Sequence, residues 1–458
     1  MNRTRTPFRR APLGASLILP MLAVASPALA DRAPAPPPVG SVAWDIVSDL
    51  TTQVGQRLAG SEAEARARAF AVERLKTLGF RNVAVEPFTI RGYVRGTDRA
   101  RLTAPVPQAL AITALGYSGT TPDAGIEGDV VYFPTLDALK AAPLESLAGK
   151  IAFVDHAMRA NQDGSGYGPY GDVRRHGPTL AAQRGAIGVV IRSAGTDWHR
   201  NPHTGATDWD AGTKPIPAGA VSNPDADLVA RLARGGKPLR LTLSLTGKTV
   251  DGLPSGNVIG DLPGRDPSLP PILVACHLDS WDLGTGAIDD GAGCAIVTAA
   301  ALRAQEGGVP LRTIRVLWAG SEELGGFGGQ AYAAKHAEPH ALAMESDFGA
   351  DRVWRVETRF APADKALADK VVAALDPLGI VAQPGEPEGG TDVVFTIMKQ
   401  KLAVISLGQD GTRYFDLHHT PDDTLDKIDP ELLAQNVTAW TATLKVVANE
   451  AGPISPVP

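Results

Sequence analysis

Residues 271–293 read PILVACHLDSWDLGTGAIDDGAG, and this stretch decides the fold. Its apolar run, 272–276, has the length and bounds of a buried strand. His277 and Asp279 stand two apart at its end, so in extended backbone they share a face. A metal-binding histidine usually passes its second ring N–H to a carbonyl or carboxylate. Asp279 is therefore the expected orienting partner of His277. Asp289 and Asp290 follow, then Gly-Ala-Gly and an Ala-rich helical run.

Downstream of Ser255 strand and helix patterns alternate. Strands are expected at 257–260, 272–276, 313–319, 341–345, 353–357 and 402–407. Helices are expected at 292–304, 329–336, 363–378 and 430–449. The alternation predicts an α/β fold: a mixed, mostly parallel sheet with helices on both faces. In open sheets of this kind ligands bind beyond the carboxyl ends of the strands. Acids or histidines follow four of the expected strands: His277 and Asp279, Glu322 and Glu323, Asp347, and His418 with His419. Carboxylates mixed with imidazole suit zinc, with manganese or cobalt as lesser options. Glu322 and Glu323 are adjacent and point apart, so one can hold metal while the other faces the reaction space as a general base.

Upstream of that region the texture differs. Two amphipathic helices are expected at 42–58 and 62–78, with Ser61 and Glu64 in capping-box spacing, then a strand at 82–90. Residues 111–246 carry short β-like runs at 129–133, 150–154, 188–191 and 239–245, separated by Gly-, Pro- and Asp-rich loops. A short helix is expected at 178–184. The predicted organisation is an N-terminal segment at 41–110, an inserted β-rich module at 111–246, an α/β region at 247–452 that the N-terminal segment completes, and a loose tail at 453–458. Histidines and aromatics in the module's loops (His156, Tyr167, Tyr170, His199, His203 and Trp209) read as solvated side chains ahead of substrate contacts.

The first thirty residues hold Arg3, Arg5, Arg9 and Arg10, an apolar run at 15–24 and Ala28-Leu29-Ala30. That pattern predicts a cleaved export signal and a periplasmic or secreted protein, with 31–40 as a flexible leader. The run is too short to span a bilayer comfortably, and no later stretch is apolar enough. The net charge is −6, and the signal's four arginines leave the remainder more acidic still. Nucleic acid is excluded as a partner on that balance. The two cysteines, Cys276 and Cys294, are expected as buried thiols rather than a bridge. His336 and His340 are four apart, but Pro339 and the misplaced Glu338 rule out a zinc-helix motif, so they mark a helix end.

Four segments taken together, HLDSWDLGTGAIDDGAG, WAGSEELG, MESDFGA and HHTPDDT, resemble metallopeptidase family 28. In the module, GKIAFVDH, AAQRGAIGVVIRS and IPAGAVSNPDADLVARL resemble a protease-associated domain. The first resemblance implies an exopeptidase with two zinc ions acting on short peptides, dipeptides foremost. It implies His277 and Asp347 on one ion, Glu323 and His419 on the other, Asp289 bridging, and Glu322 as base and acid. It also implies a cis bond after the bridging aspartate, Asp289–Asp290, and admits a homodimer. Many relatives place a tyrosine before the last histidine ligand to steady the oxyanion. Here that place is His418, so His418 and Tyr414 are both candidates. An aminopeptidase on longer peptides and an inactive binding homologue are the rival readings.

Overall fold

The computed structural model describes residues 41–457. The expected signal and leader lie outside them. Two eight-stranded sheets make up the molecule. The larger runs in the order Arg81–Val94, Lys248–Leu262, Ile314–Ala319, Ile272–His277, Leu342–Glu345, Ala403–Gln409, Val353–Arg359 and Val381–Ala382. Its four middle members are mutually parallel, and antiparallel strands flank them.

The strand Ile272–His277 shows why the middle reads as unbroken apolar sequence. Ile272, Val274 and Cys276 face one core, with Ala295, Val297 and Trp440. Leu273 and Ala275 face another, with Tyr332 and Ile397. A strand covered on both faces has no polar side to alternate with. Helix Ala292–Ala304 is almost wholly buried on the first face, behind Val42–Asp49 and Pro430–Val447. Phe327–Lys335 and Val394–Gln400 cover the second. Helix Glu62–Thr77 starts as expected: Ser61 Oγ accepts from the Glu64 N–H at 3.1 Å, and Glu64 Oε2 accepts from Gly60 N–H at 3.0 Å.

The smaller sheet orders Gln108–Leu110, Asp98–Ala104, Arg240–Leu245, Ile126–Phe133, Ile151–Val154, Gly188–Arg192, Ala218–Val221 and Ile112–Ala114. Its first two strands precede residue 111, so this sheet starts earlier than the sequence suggests. The chain enters and leaves it through a long antiparallel pair, with Val94 opposite Lys248. Asp98–Ala104 pairs on both sides, but charged residues alternate along it and gave no continuous apolar signal.

Four other expectations are corrected. Cys276 and Cys294 are joined in a disulfide. The strand end packs against the start of the following helix and brings their Cα atoms to 5.0 Å. The helix around Pro178 spans Tyr167–Gln183, because burial of Tyr170, Val173 and Ala181 outweighs the weak propensity of its glycines and proline. The expected helix at 42–58 runs as Val42–Asp49 and a wider turn, Leu50–Val54. The tail is pinned: Val457 N–H donates to Lys401 O at 2.7 Å, and Ser455 N–H to Asp364. Among the described residues no helix is long and apolar enough to cross a membrane.

Candidate active site

Strand ends bring the predicted ligands together. His277 Nε2 lies 2.8 Å from Asp289 Oδ1 and 3.4 Å from Asp347 Oδ1. His419 Nε2 lies 3.0 Å from Asp289 Oδ2 and 2.9 Å from Glu323 Oε2. Each oxygen of Asp289 thus faces a different histidine, with a different second acid beside each. The Asp289–Asp290 peptide is cis, as the resemblance implies.

Electrostatics at this cluster fit a cationic guest. Burial, with Asp347, Glu323 and Asp289 adding to it, pushes the Glu322 carboxyl well above its usual range. Burial and the Asp289 charge contribute to lifting Glu323 to about 7. Burial opposes charge on His277 and His419, yet the facing carboxylates outweigh it and raise both far above an ordinary imidazole. Protons on those imidazoles supply positive charge that a bound metal would supply instead. Glu323 Oε1 is buried without a partner. Mixed nitrogen and carboxylate donors, an orphaned oxygen and a shortage of positive charge together match a metal site.

Asp279 acts differently from expectation. Its main-chain carbonyl, at 3.1 Å, is the nearest group to His277 Nδ1, while its carboxylate is 3.7 Å away. Asp279 Oδ1 instead accepts the Glu322 N–H at 3.0 Å, fixing the backbone of the expected base. His419 Nδ1 faces Thr204 O at 3.4 Å, and His419 O accepts the Thr204 N–H at 3.0 Å. His419 is therefore braced by the smaller-sheet region.

A cavity of about 460 Å³ opens over the cluster. Glu322, Glu323, Asp289, Asp347, His418, His419 and Tyr414 line it, as do Tyr167 and Arg174 from the Tyr167–Gln183 helix. Tyr414 stacks on His418, with ring centroids 4.5 Å apart. His418 Nε2 is occupied by His203 Nε2 at 3.3 Å, and its Nδ1 is buried without a partner. His203 and Tyr167 are thus packed at the site, not solvated, whereas His199 is exposed as expected. His336 and His340 stay with the helix end, bonded to Glu86, Glu338 and Tyr332.

Some residues with a role here carried no assignment in the sequence reading. Asp423, within HHTPDDT, accepts the N–H groups of Ile288 at 2.6 Å and Asp289 at 3.3 Å, holding the bridge candidate. Asp290 accepts from His277 N–H and Gly293 N–H. Gly293 is obligatory there, since a Cβ would lie 2.0 Å from Ser346 O. Arg57 is fully buried and donates to the carbonyls of Leu278, Thr285 and Gly286 at 2.6–2.8 Å, bracing the loop that leads to Asp289. Nothing local in the sequence marked it. An Arg57→Leu substitution leaves three buried carbonyls unpaired, and we expect a loss of about 3–5 kcal/mol in urea unfolding.

The model of peptidase family M28 matches residues 257–444. Carboxypeptidase Q from Bos taurus is 32% identical over 409 residues, covering 87% of this chain and 84% of that protein. The chain belongs to peptidase family M28. It is therefore an enzyme, a metallo-exopeptidase that hydrolyses peptide bonds. Human carboxypeptidase Q is also 32% identical, over 405 residues with the same coverage of both chains. The crystal structure of a peptidase M28 precursor from Shewanella amazonensis SB2B is 43% identical. It covers 91% of this chain and 95% of that one, with a TM-score of 0.88. A zinc aminopeptidase from Bacillus subtilis, 18% identical, covers 91% of this chain and 97% of its own with a TM-score of 0.63, a likeness of fold alone.

Proposed function

We propose that this M28 peptidase is an exported di-zinc exopeptidase of short peptides, dipeptides foremost. The observation carrying the two-ion reading is Asp289, whose two oxygens face His277 and His419 separately. His277 and Asp347 would hold one ion, and Glu323 and His419 the other. Bound zinc supplies Lewis acidity, lowering the pKa of water from about 15.7 to about 7 and polarising a carbonyl.

The chain's own groups do the rest. Glu322 takes the proton of the attacking water and returns it to the departing amine. Asp279 holds Glu322 in place through its N–H. Tyr414 is the better oxyanion donor of the two candidates, because His203 already engages His418 Nε2. Tyr414 lines the cavity close to the carboxylate cluster. The wall supplied by the Tyr167–Gln183 helix narrows the cleft, which favours dipeptides over long chains. The smaller sheet is read as a protease-associated module, and export rests on residues 1–30.

Elemental analysis of the purified chain tests the two-ion reading, with two zinc ions per chain expected. One ion or none would refute it. Comparing cleavage of a dipeptide with that of a matched longer peptide separates the dipeptidase from an aminopeptidase of broader reach.

A further inference from the structure

Three histidines meet beside the cluster at Asp289. His203 comes from the smaller-sheet region, and His418 and His419 follow the short helix Tyr414–Leu417. One ring nitrogen of each lies within 4.8 Å of those of the other two. His203 Nε2 and His418 Nε2 are 3.3 Å apart, and both residues are buried, at 0% and 4% exposure. Their Nδ1 atoms have no partner. Among the described residues neither ring forms an ion pair, and the contact between them is the one hydrogen bond that either side chain makes. Zinc binds imidazole nitrogen at about 2.0–2.1 Å in tetrahedral geometry, which sets two ligand nitrogens roughly 3.3–3.4 Å apart. The His203–His418 pair already has that spacing. His418 also lines the cavity of about 460 Å³, so an ion entering the cleft reaches it directly.

We infer that His203, His418 and His419 form a site for one further transition-metal ion, zinc or copper, which inhibits the enzyme by drawing His419 away from Asp289 and Glu323. Imidazole donors without carboxylates suit these ions ahead of magnesium or manganese. A neutral imidazole has a single nitrogen lone pair to give. His419 Nε2 sits 3.0 Å from Asp289 Oδ2 and 2.9 Å from Glu323 Oε2, so His419 serves one centre at a time. The three-histidine site is the weaker of the two. It has no carboxylate, and no acceptor holds Nδ1 of His203 or His418, a support whose loss costs about 10–100-fold in affinity. It therefore fills only when metal exceeds what the Asp289 cluster takes. The inhibition rests on the exopeptidase reading above, whereas the extra ion does not.

The test adds zinc chloride in rising excess to the zinc-loaded enzyme, reading bound metal by equilibrium dialysis and turnover on Ala-Ala. Wild type is expected to take up one ion more per chain than His203→Gln, and to lose turnover by about tenfold or more as that ion binds. His203→Gln should keep whatever rate it has before the excess is added. Equal ion counts in the two proteins would overturn the inference. So would an extra ion with no fall in wild-type turnover, or the same inhibition in both. Copper(II) added to the zinc-loaded wild type gives a reading that needs no variant. Its electron paramagnetic resonance spectrum should show at least two imidazole nitrogens on the copper, and one or none would overturn the site. If neither protein cleaves Ala-Ala, a difference of one ion still supports the three-histidine site, and the exopeptidase reading falls instead.

Discussion

A Glu322→Gln enzyme should load its metal and unfold like wild type, yet turn over roughly 10²–10⁴ times more slowly. That range is what a positioned general acid–base group contributes. The substitution keeps the side chain's size and the backbone N–H that Asp279 accepts at 3.0 Å, so the local frame survives. What disappears is the group that can take a proton from water and return it to the amine. The loss should fall on kcat with KM little changed, because proton transfer belongs to the transition state. Steady-state kinetics on a dipeptide, with zinc content measured on the same sample, would check it. Turnover within a few-fold of wild type in a metal-loaded sample would remove Glu322 from the role.

Stripping the metal should have the second large effect. Dialysis against a strong chelator is expected to abolish hydrolysis, and added zinc to restore it. The same treatment should lower stability, since a ligand held only by the folded state stabilises it by about 4 kcal/mol at a thousand times its dissociation constant. The reason is visible in the cluster. Asp289, Glu322, Glu323 and Asp347 crowd together, and without cations they are relieved by protons, on His277 and His419 and on the raised carboxyls of Glu322 and Glu323. Full activity in chelator, with no zinc detected, would end the metal reading. Asp289→Asn should lose more metal than substitution of any other ligand, because both histidines face that side chain.

The sequence made the larger sheet and its rim legible for a specific reason. Strands buried on both faces are continuous apolar runs, and their carboxyl ends carry His277, Glu322, Glu323 and Asp347 within a few residues. Spacing alone could show these. Contacts made across the chain could not be read that way. Whether His418 or Tyr414 reaches the reacting carbonyl depends on His203, more than two hundred positions earlier and packed against His418. Cys276 and Cys294 looked like separate thiols because their pairing depends on how a helix start meets a strand end. The helix from Tyr167 was hidden by Gly168, Gly171, Gly177 and Pro178, whose propensities lose to the burial of Tyr170 and Val173. Arg57 has no motif at all. Its role follows from what surrounds it after folding.

Thr204, from the smaller-sheet region, and His419 exchange contacts, so residues from both sheets' regions meet at the reaction centre. Loosening of the smaller-sheet region would remove both the brace on His419 and the cavity wall formed by the Tyr167–Gln183 helix. The placing of His419 on the larger sheet's rim thus depends on the smaller sheet being intact.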